Sequence, residues 1–229
     1  NIGAGSTWFD GYVNCDYSDQ YNPEYVFDLE KDTWPFQDNS VTHVIAHHIL
    51  EHLGEGYFHA LKELYRVCAS GAVIDIRVPH YNHHNFFHDA THKRPITPIG
   101  LNMFSQKQNQ KDFNAGAATS RLGQYLKIDI ELISYQYLID DRYKSLLEGN
   151  TNEVVEYFAF DKINVISEIW LKMMVIKGTK KEQINSYYKY YLNREVDESG
   201  LSTYLNADIP MSQVLKFIME SEEYKSNPK

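Results

Sequence analysis

The chain has 229 residues, 43% of them hydrophobic, with a formal net charge of -9. That is enough apolar material for one ordinary domain with a small appendage, and the acidic balance excludes a general nucleic-acid binder, which needs a basic face to displace counterions. No apolar run approaches the ~20 residues of a membrane span, and no signal peptide is visible. The first sixteen residues, NIGAGSTWFDGYVNCD, hold Gly3 and Gly5 around Ala4, then a β-type run from Gly11 to Cys15 that ends on Asp16. Glycines let backbone approach a ligand closely. A carboxylate at the tip of the next strand can accept from the hydroxyls of a ribose. Alone, a glycine turn followed by an Asp is more often just a turn. Only Asn1 and Ile2 precede the glycines, so the chain is expected to start inside its first strand.

Short runs at Tyr25 to Leu29, Val41 to Ala46 and Ala72 to Pro79 predict strands. Between the last two, Phe58, Leu61, Leu64, Tyr65 and Cys68 recur at helical spacing, and Gly71 is expected to end that helix. Strand and helix alternate, which implies an α/β fold with a mainly parallel, Rossmann-like sheet and helices on both faces. Ligands of such sheets sit at the carboxyl ends of the strands. Gly3 and Gly5, Asp16, Asp28, His47, His48 and His80 all fall there. All ten histidines lie between His43 and His92. Residues 105 to 123 read as an irregular loop, and 128 to 137 and 166 to 176 as the strands of a final antiparallel hairpin. Cys15 and Cys68 lie in apolar runs and are expected to be buried free thiols of a reducing compartment. The composition changes after Gly178. Thr179 to Glu182 is a charged linker candidate, and residues 184 to 227 carry the spacing of a small three-helix unit whose third helix Ser212, after Pro210, could cap. The expected domains are thus residues 1 to 178 and 184 to 227.

The run NIGAG…GYVNCD, then FDLEKDTWPFQDNSVTHVIAHHILEHL, then FHALKELYRVCASGAVIDIRVP, resembles class I S-adenosylmethionine-dependent methyltransferases of the bacterial polysaccharide-biosynthesis type, over roughly residues 1 to 178. The resemblance implies S-adenosylmethionine as cofactor, a glycine loop of Gly3, Ala4 and Gly5 under its methionine part, and Asp16 on its ribose. It also implies Asp28 and Leu29 beside the adenine, and His47 and His48 bordering cofactor and substrate. PHYNHHNFFHDATHKRPIT resembles a second signature of that branch, with Ala90 where the family has proline. Ala69-Ser70-Gly71-Ala72 replaces the family's Lys-Pro-Gly-Gly. The very short first helix disfavours NAD. The tail, with Leu192-Asn193-Arg194-Glu195, Asp197, Gly200-Leu201 and the closing Ser221-Glu222-Glu223-Tyr224, resembles a small helical domain of unknown function that recurs in bacterial glycan-assembly and cell-surface proteins. A docking or packing module, engaging other glycan-assembly proteins, is expected there.

Methyl transfer needs an aligned acceptor and, for a sugar hydroxyl, a base. Histidine titrates near neutrality and suits that task. The candidates are His48, His52, His80 and His92. His80 and His92 are preferred as catalytic residues, with Asp89 orienting one of them. His48 and His52 would share a helical face, and His80, His83, His84, His88 and Asp89 could supply further ligands, but no cysteine pair accompanies them and the spacings match no zinc signature, so no metal ligands are assigned. The expected function is O-methylation of a sugar hydroxyl of a bacterial surface glycan or its nucleotide- or lipid-linked precursor, in the cytoplasm or at the inner face of the membrane. Two alternatives stand beside it: a non-catalytic cofactor-binding scaffold in a glycan-assembly complex, and a methyltransferase for a lipid or small metabolite.

Overall fold

A computed structural model describes residues 1–207, 209 and 211–226, with Tyr190 and Ser212 described by their backbone alone. Two short parallel strands, β1 (Cys15–Asp16) and β2 (Tyr25–Val26), stand beside a four-stranded sheet of β3 (Val41–His47), β4 (Cys68–Pro79), β5 (Ile130–Ile139) and β6 (Ile166–Val175). Ile2 joins them, pairing in parallel with Cys15 and donating its N–H to the Ile45 carbonyl at 3.0 Å. The spatial order is therefore β2, β1, Ile2, β3, β4, β6, β5. Strand β3 runs parallel to β4, whereas β6 is antiparallel to both β4 and β5. This is a Rossmann-like α/β sheet with an antiparallel final hairpin, as its periodicity implies.

Alternation along β4 divides the core. Ile74, Ile76 and Val78 face α1 (Tyr57–Val67), whose Tyr57, Ala60, Leu61, Leu64 and Val67 form one buried stripe. Val73 points to the other face. Beyond β4 come α2 (His84–His88), α3 (Pro98–Asn102), α4 (Gln106–Asn114) and α5 (Leu122–Leu126), then α6 (Lys144–Leu147) and α7 (Asn152–Ala159) between the last two strands. The stretch 105 to 123 is thus helical over Gln106–Asn114 and irregular, as expected, from 115 to 121. Ser105 caps α4, and the buried Asn109 side chain ties it to the Met103 carbonyl at 2.9 Å. Such polar anchoring leaves no apolar period to read.

Three further expectations are corrected. The β-type run from Gly11 shrinks to Cys15–Asp16, because Gly11, at φ 80°, belongs to a turn. Gly71 does not end α1, which stops at Val67 and passes straight into β4. Gly71 sits inside that strand at φ 83°, beside a register shift opposite Val41 and His43. The charged stretch after Gly178 is no linker: Thr179 and Glu182 form a reciprocal capping box that opens α8 (Lys180–Leu192). Helices α9 (Glu198–Asn206), α10 (Met211–Glu220) and α11 (Glu222–Ser226) follow. The expected cap from Ser212 after Pro210 lies outside the described residues. Ile184, Tyr187, Tyr188 and Tyr191 of α8 and Val214, Leu215 and Ile218 of α10 share one apolar cluster with Val73 and Met174 of the sheet. No helix among the described residues is long and apolar enough to cross a membrane.

Candidate active site

The glycine turn is pinned to the end of β1. Gly3 and Gly5 have φ 63° and 49°, the left-handed region that favours glycine. Ala4 donates its N–H to the Cys15 carbonyl at 3.0 Å, and Gly5 donates to Asp16 Oδ2 at 2.8 Å. A Cβ on Gly3 would stand 2.6 Å from Ile49 Cδ1, so this turn packs on the segment that follows β3. A Cβ on Gly5 would meet nothing within 4 Å. The Gly5 backbone is therefore open to a ligand on that side. Asp16 Oδ1 accepts from Ser18 N–H at 3.0 Å, so each carboxylate oxygen still has a lone pair to offer.

Asp28 accepts from Glu30 N–H at 2.9 Å and pairs with Lys31 Nζ at 2.6 Å, which holds its carboxyl below the usual range. Leu29 is buried in the core, and its carbonyl accepts from the Trp34 indole. His47 turns onto the sheet face opposite Ala46, where its Nε2 lies 3.1 Å from Asp75 Oδ1, an oxygen that also accepts from the Trp170 indole. His48, at φ 52°, leaves the strand with its N–H on the Arg77 carbonyl at 2.8 Å. Its Nδ1 lies 3.5 Å from Glu51 Oε1 and its Nε2 3.8 Å from Glu168 Oε1. The Glu51 carboxylate facing Nδ1 raises its pKa, against the partial burial of the ring.

The preferred histidines separate by tautomer. His80 is buried, and its Nδ1 accepts from Asn82 N–H at 3.2 Å, so the neutral ring carries its proton on Nε2. Burial, with His83 as a lesser cause, lowers its pKa to about 4. His80 is thus placed as a hydrogen-bond donor, not as the base its position suggests. His92 is the reverse: Nδ1 lies 2.8 Å from the Phe86 carbonyl, which only accepts, so Nδ1 carries the proton and Nε2 the lone pair. Asp89 Oδ2 stands 3.9 Å from His92 Nε2, beyond hydrogen-bond distance. Asp89 instead accepts from the Thr91 N–H and hydroxyl at 2.8 and 2.6 Å, so it orders Thr91 and no histidine directly. The Thr91 hydroxyl oxygen in turn lies 2.8 Å from His52 Nδ1. The rings of His52 and His92 meet edge to face at 4.6 Å.

Sequence reading gives Glu51 no role and His83 only that of a possible further metal ligand. Glu51 is fully buried in the turn after β3, and an acid in the apolar-flanked Leu50-Glu51-His52-Leu53 is the signal that could have found it. His83 caps α2 through Nδ1 and binds Asp140 Oδ2 through Nε2 at 3.0 Å. That link closes one wall of a cavity of ≈ 540 Å³, lined by Arg77, His84, Asn85, Asp140, Asn152 and Glu168 among others. A second cavity of ≈ 520 Å³ has His80, Tyr81, Tyr135, Tyr137 and Phe160 in its walls.

The profile of a family described as a methyltransferase domain matches residues 13–75. No curated protein sequence matches the chain. Among solved structures, a SAM-dependent methyltransferase from Archaeoglobus fulgidus is 17% identical, with 70% of this chain and 74% of that one covered and a TM-score of 0.45. The YcgJ protein of Bacillus subtilis is 14% identical, with 77% and 91% covered and a TM-score of 0.44. A SAM-dependent methyltransferase from Thermotoga maritima, described as a possible histamine N-methyltransferase, is 13% identical, with 77% and 80% covered and a TM-score of 0.40. The strand order and the matched segment give a class I methyltransferase fold. The match supports methyl transfer from S-adenosylmethionine as the activity. The open backbone at Gly5 and the spare lone pairs of Asp16 fit that cofactor.

Proposed function

We propose that this chain methylates a hydroxyl of a sugar acceptor, a bacterial surface glycan or its nucleotide- or lipid-linked precursor. The observation that carries the reading is the ≈ 540 Å³ cavity, in whose walls charged and amide side chains outnumber apolar ones. Arg77, Asn85, Gln136 and Glu168 line it with donor and acceptor groups of the kind a polyhydroxylated ring needs. Glu168 links this cavity to His48 and so to the strand ends where the cofactor is expected.

Gly3, Ala4, Gly5 and Asp16 would hold the methionine and ribose parts of S-adenosylmethionine, with Asp28 toward the adenine. When bound, the cofactor supplies an electrophilic methyl group. The chain's own contribution is to align the acceptor and take up its proton. His52 and His92 are the histidines whose Nε2 lone pairs suit that second role as long as no metal ion occupies them, whereas His80 donates. The test is formation of S-adenosylhomocysteine by the full chain with two acceptor panels, nucleotide- and lipid-linked sugars against quinones and other hydroxylated apolar compounds. Turnover with sugars alone is the expected result. Turnover confined to the apolar panel would overturn the sugar assignment, and binding without turnover on any acceptor would favour the scaffold alternative.

A further inference from the structure

We propose that Glu51, His52 and His92 form a binding site for one divalent transition-metal ion. Each residue offers a ligand atom within 4.8 Å of those of the other two. Ligands of one ion at about 2.1 Å stand roughly 3–3.5 Å apart, so loading draws this triad together.

The first argument is the state of Glu51. Its side chain is 1% exposed, and neither carboxylate oxygen has a hydrogen-bond donor among the described residues. The nearest cationic group is His48 Nδ1, at 3.5 Å from Oε1, and that ring is 45% exposed. A buried carboxylate without donors is costly unless a cation compensates it.

The second argument is independent and concerns the protons on the two rings. His92 Nδ1 must donate to the Phe86 carbonyl, which leaves Nε2 as a lone pair. The Thr91 hydroxyl spends its one proton on Asp89, so it can only accept from His52 Nδ1. His52 therefore also presents Nε2 as a lone pair. Imidazoles that ligate metals are held in this way, with the far N–H fixed by a carbonyl or by a hydroxyl and carboxylate behind it. The backbone supports the same grouping. Lys93 and Arg94 donate their N–H groups to the Glu51 carbonyl at 2.8 and 3.2 Å, which clamps the loop bearing His92 onto the turn bearing Glu51 and His52.

Two imidazole nitrogens and one carboxylate suit Zn²⁺, Fe²⁺, Co²⁺ or Mn²⁺ and disfavour Mg²⁺ and Ca²⁺, which prefer all-oxygen sets. The site leaves positions for further ligands, and a metal-bound hydroxyl loses its proton readily. A role on the acceptor hydroxyl would rest on the methyltransferase reading above; ion binding itself does not.

The test is a titration of the full chain, stripped with a chelator, using Co²⁺ followed by visible absorption and Zn²⁺ followed by calorimetry. One equivalent of each should bind, and an excess of Mg²⁺ should not displace it. Glu51→Gln and His92→Ala should each weaken binding at least about 100-fold, and Thr91→Val, which removes the support of His52, by about 10-fold or more. Glu51→Gln keeps the side chain's shape and removes a buried carboxylate that lacks hydrogen-bond donors, so its metal-free form should melt no lower than the wild type. Zn²⁺ should raise the melting temperature of the wild type and leave that of Glu51→Gln unchanged. Binding no tighter than millimolar, or equal binding by Glu51→Gln, would overturn the site. So would a metal-free Glu51→Gln that melts well below the wild type, since the carboxylate would then be held by His48. Binding of S-adenosylhomocysteine, measured on the same samples, reports on the cofactor site separately.

Discussion

Asp16 links the glycine turn to whatever rests on it. One oxygen holds the Gly5 amide and the other the Ser18 amide, which leaves each a further lone pair. Asp16→Ala should therefore loosen the turn and remove the ribose acceptor together. A hydrogen bond to a charged group contributes about 1.5–3 kcal/mol, so affinity for S-adenosylhomocysteine should fall about 10–100-fold by calorimetry. Unchanged affinity would remove Asp16 from the cofactor site. Asp129, away from the site, gives a pH prediction. Burial raises its carboxyl from 3.8 to about 6, although it accepts from Gln106 N–H at 2.9 Å. The folded chain thus binds this proton more tightly than the unfolded one. The group's contribution to stability is full below its unfolded pKa and is lost as pH rises through about 6. Asp129→Asn keeps an acceptor for Gln106 and removes the penalty. It should gain on the order of 1 kcal/mol at about pH 8, the side chain being only half-buried and screened by water, and nothing near pH 4. Urea denaturation at several pH values checks this; a gain that did not vary with pH would contradict it.

Among the elements, β3, β4 and α1 were readable because their apolar residues repeat at periods of two or 3.6 along the chain. Helix α4 was not, because its one buried residue, Asn109, is held by polar contacts. Gly71 carries the sharpest element-scale prediction. Its φ is 83°, and a Cβ there would stand 2.3 Å from Cε1 of Tyr187, on helix α8. Gly71→Ala should destabilise the fold by about 1–3 kcal/mol through overpacking, with backbone strain added. In a double-mutant cycle, Tyr187→Ala should relieve part of that cost, so the two changes together should cost less than their sum. Strict additivity in chemical denaturation would mean that α8 does not rest on this bulge.

For the whole molecule, the helices from Lys180 onward cover one end of the sheet. Tyr187 donates its hydroxyl to Met174 Sδ at 2.6 Å, and Val73, Ile133 and Ile176 lie under the same cluster. Truncation after Gly178 should expose this apolar surface, lower the melting temperature and promote self-association, read by calorimetry and light scattering. A truncated chain that stayed monodisperse with an unchanged melting temperature would show that the sheet does not depend on the tail.

The chain's linear pattern was enough to specify alternating strands and helices, and with them a carboxyl edge at which Gly3, Gly5, Asp16, Asp28 and His48 are expected. Periodicity and turn chemistry are local properties, so they can be read one segment at a time. The tautomers of His80 and His92 were beyond such reading, because each is set by the carbonyl or amide that folding brings to the ring. The grouping of Glu51 and His52 with His92 is equally a product of tertiary packing. Forty residues separate the ends of that set, and the backbone clamp from Lys93 and Arg94 to Glu51 brings them together.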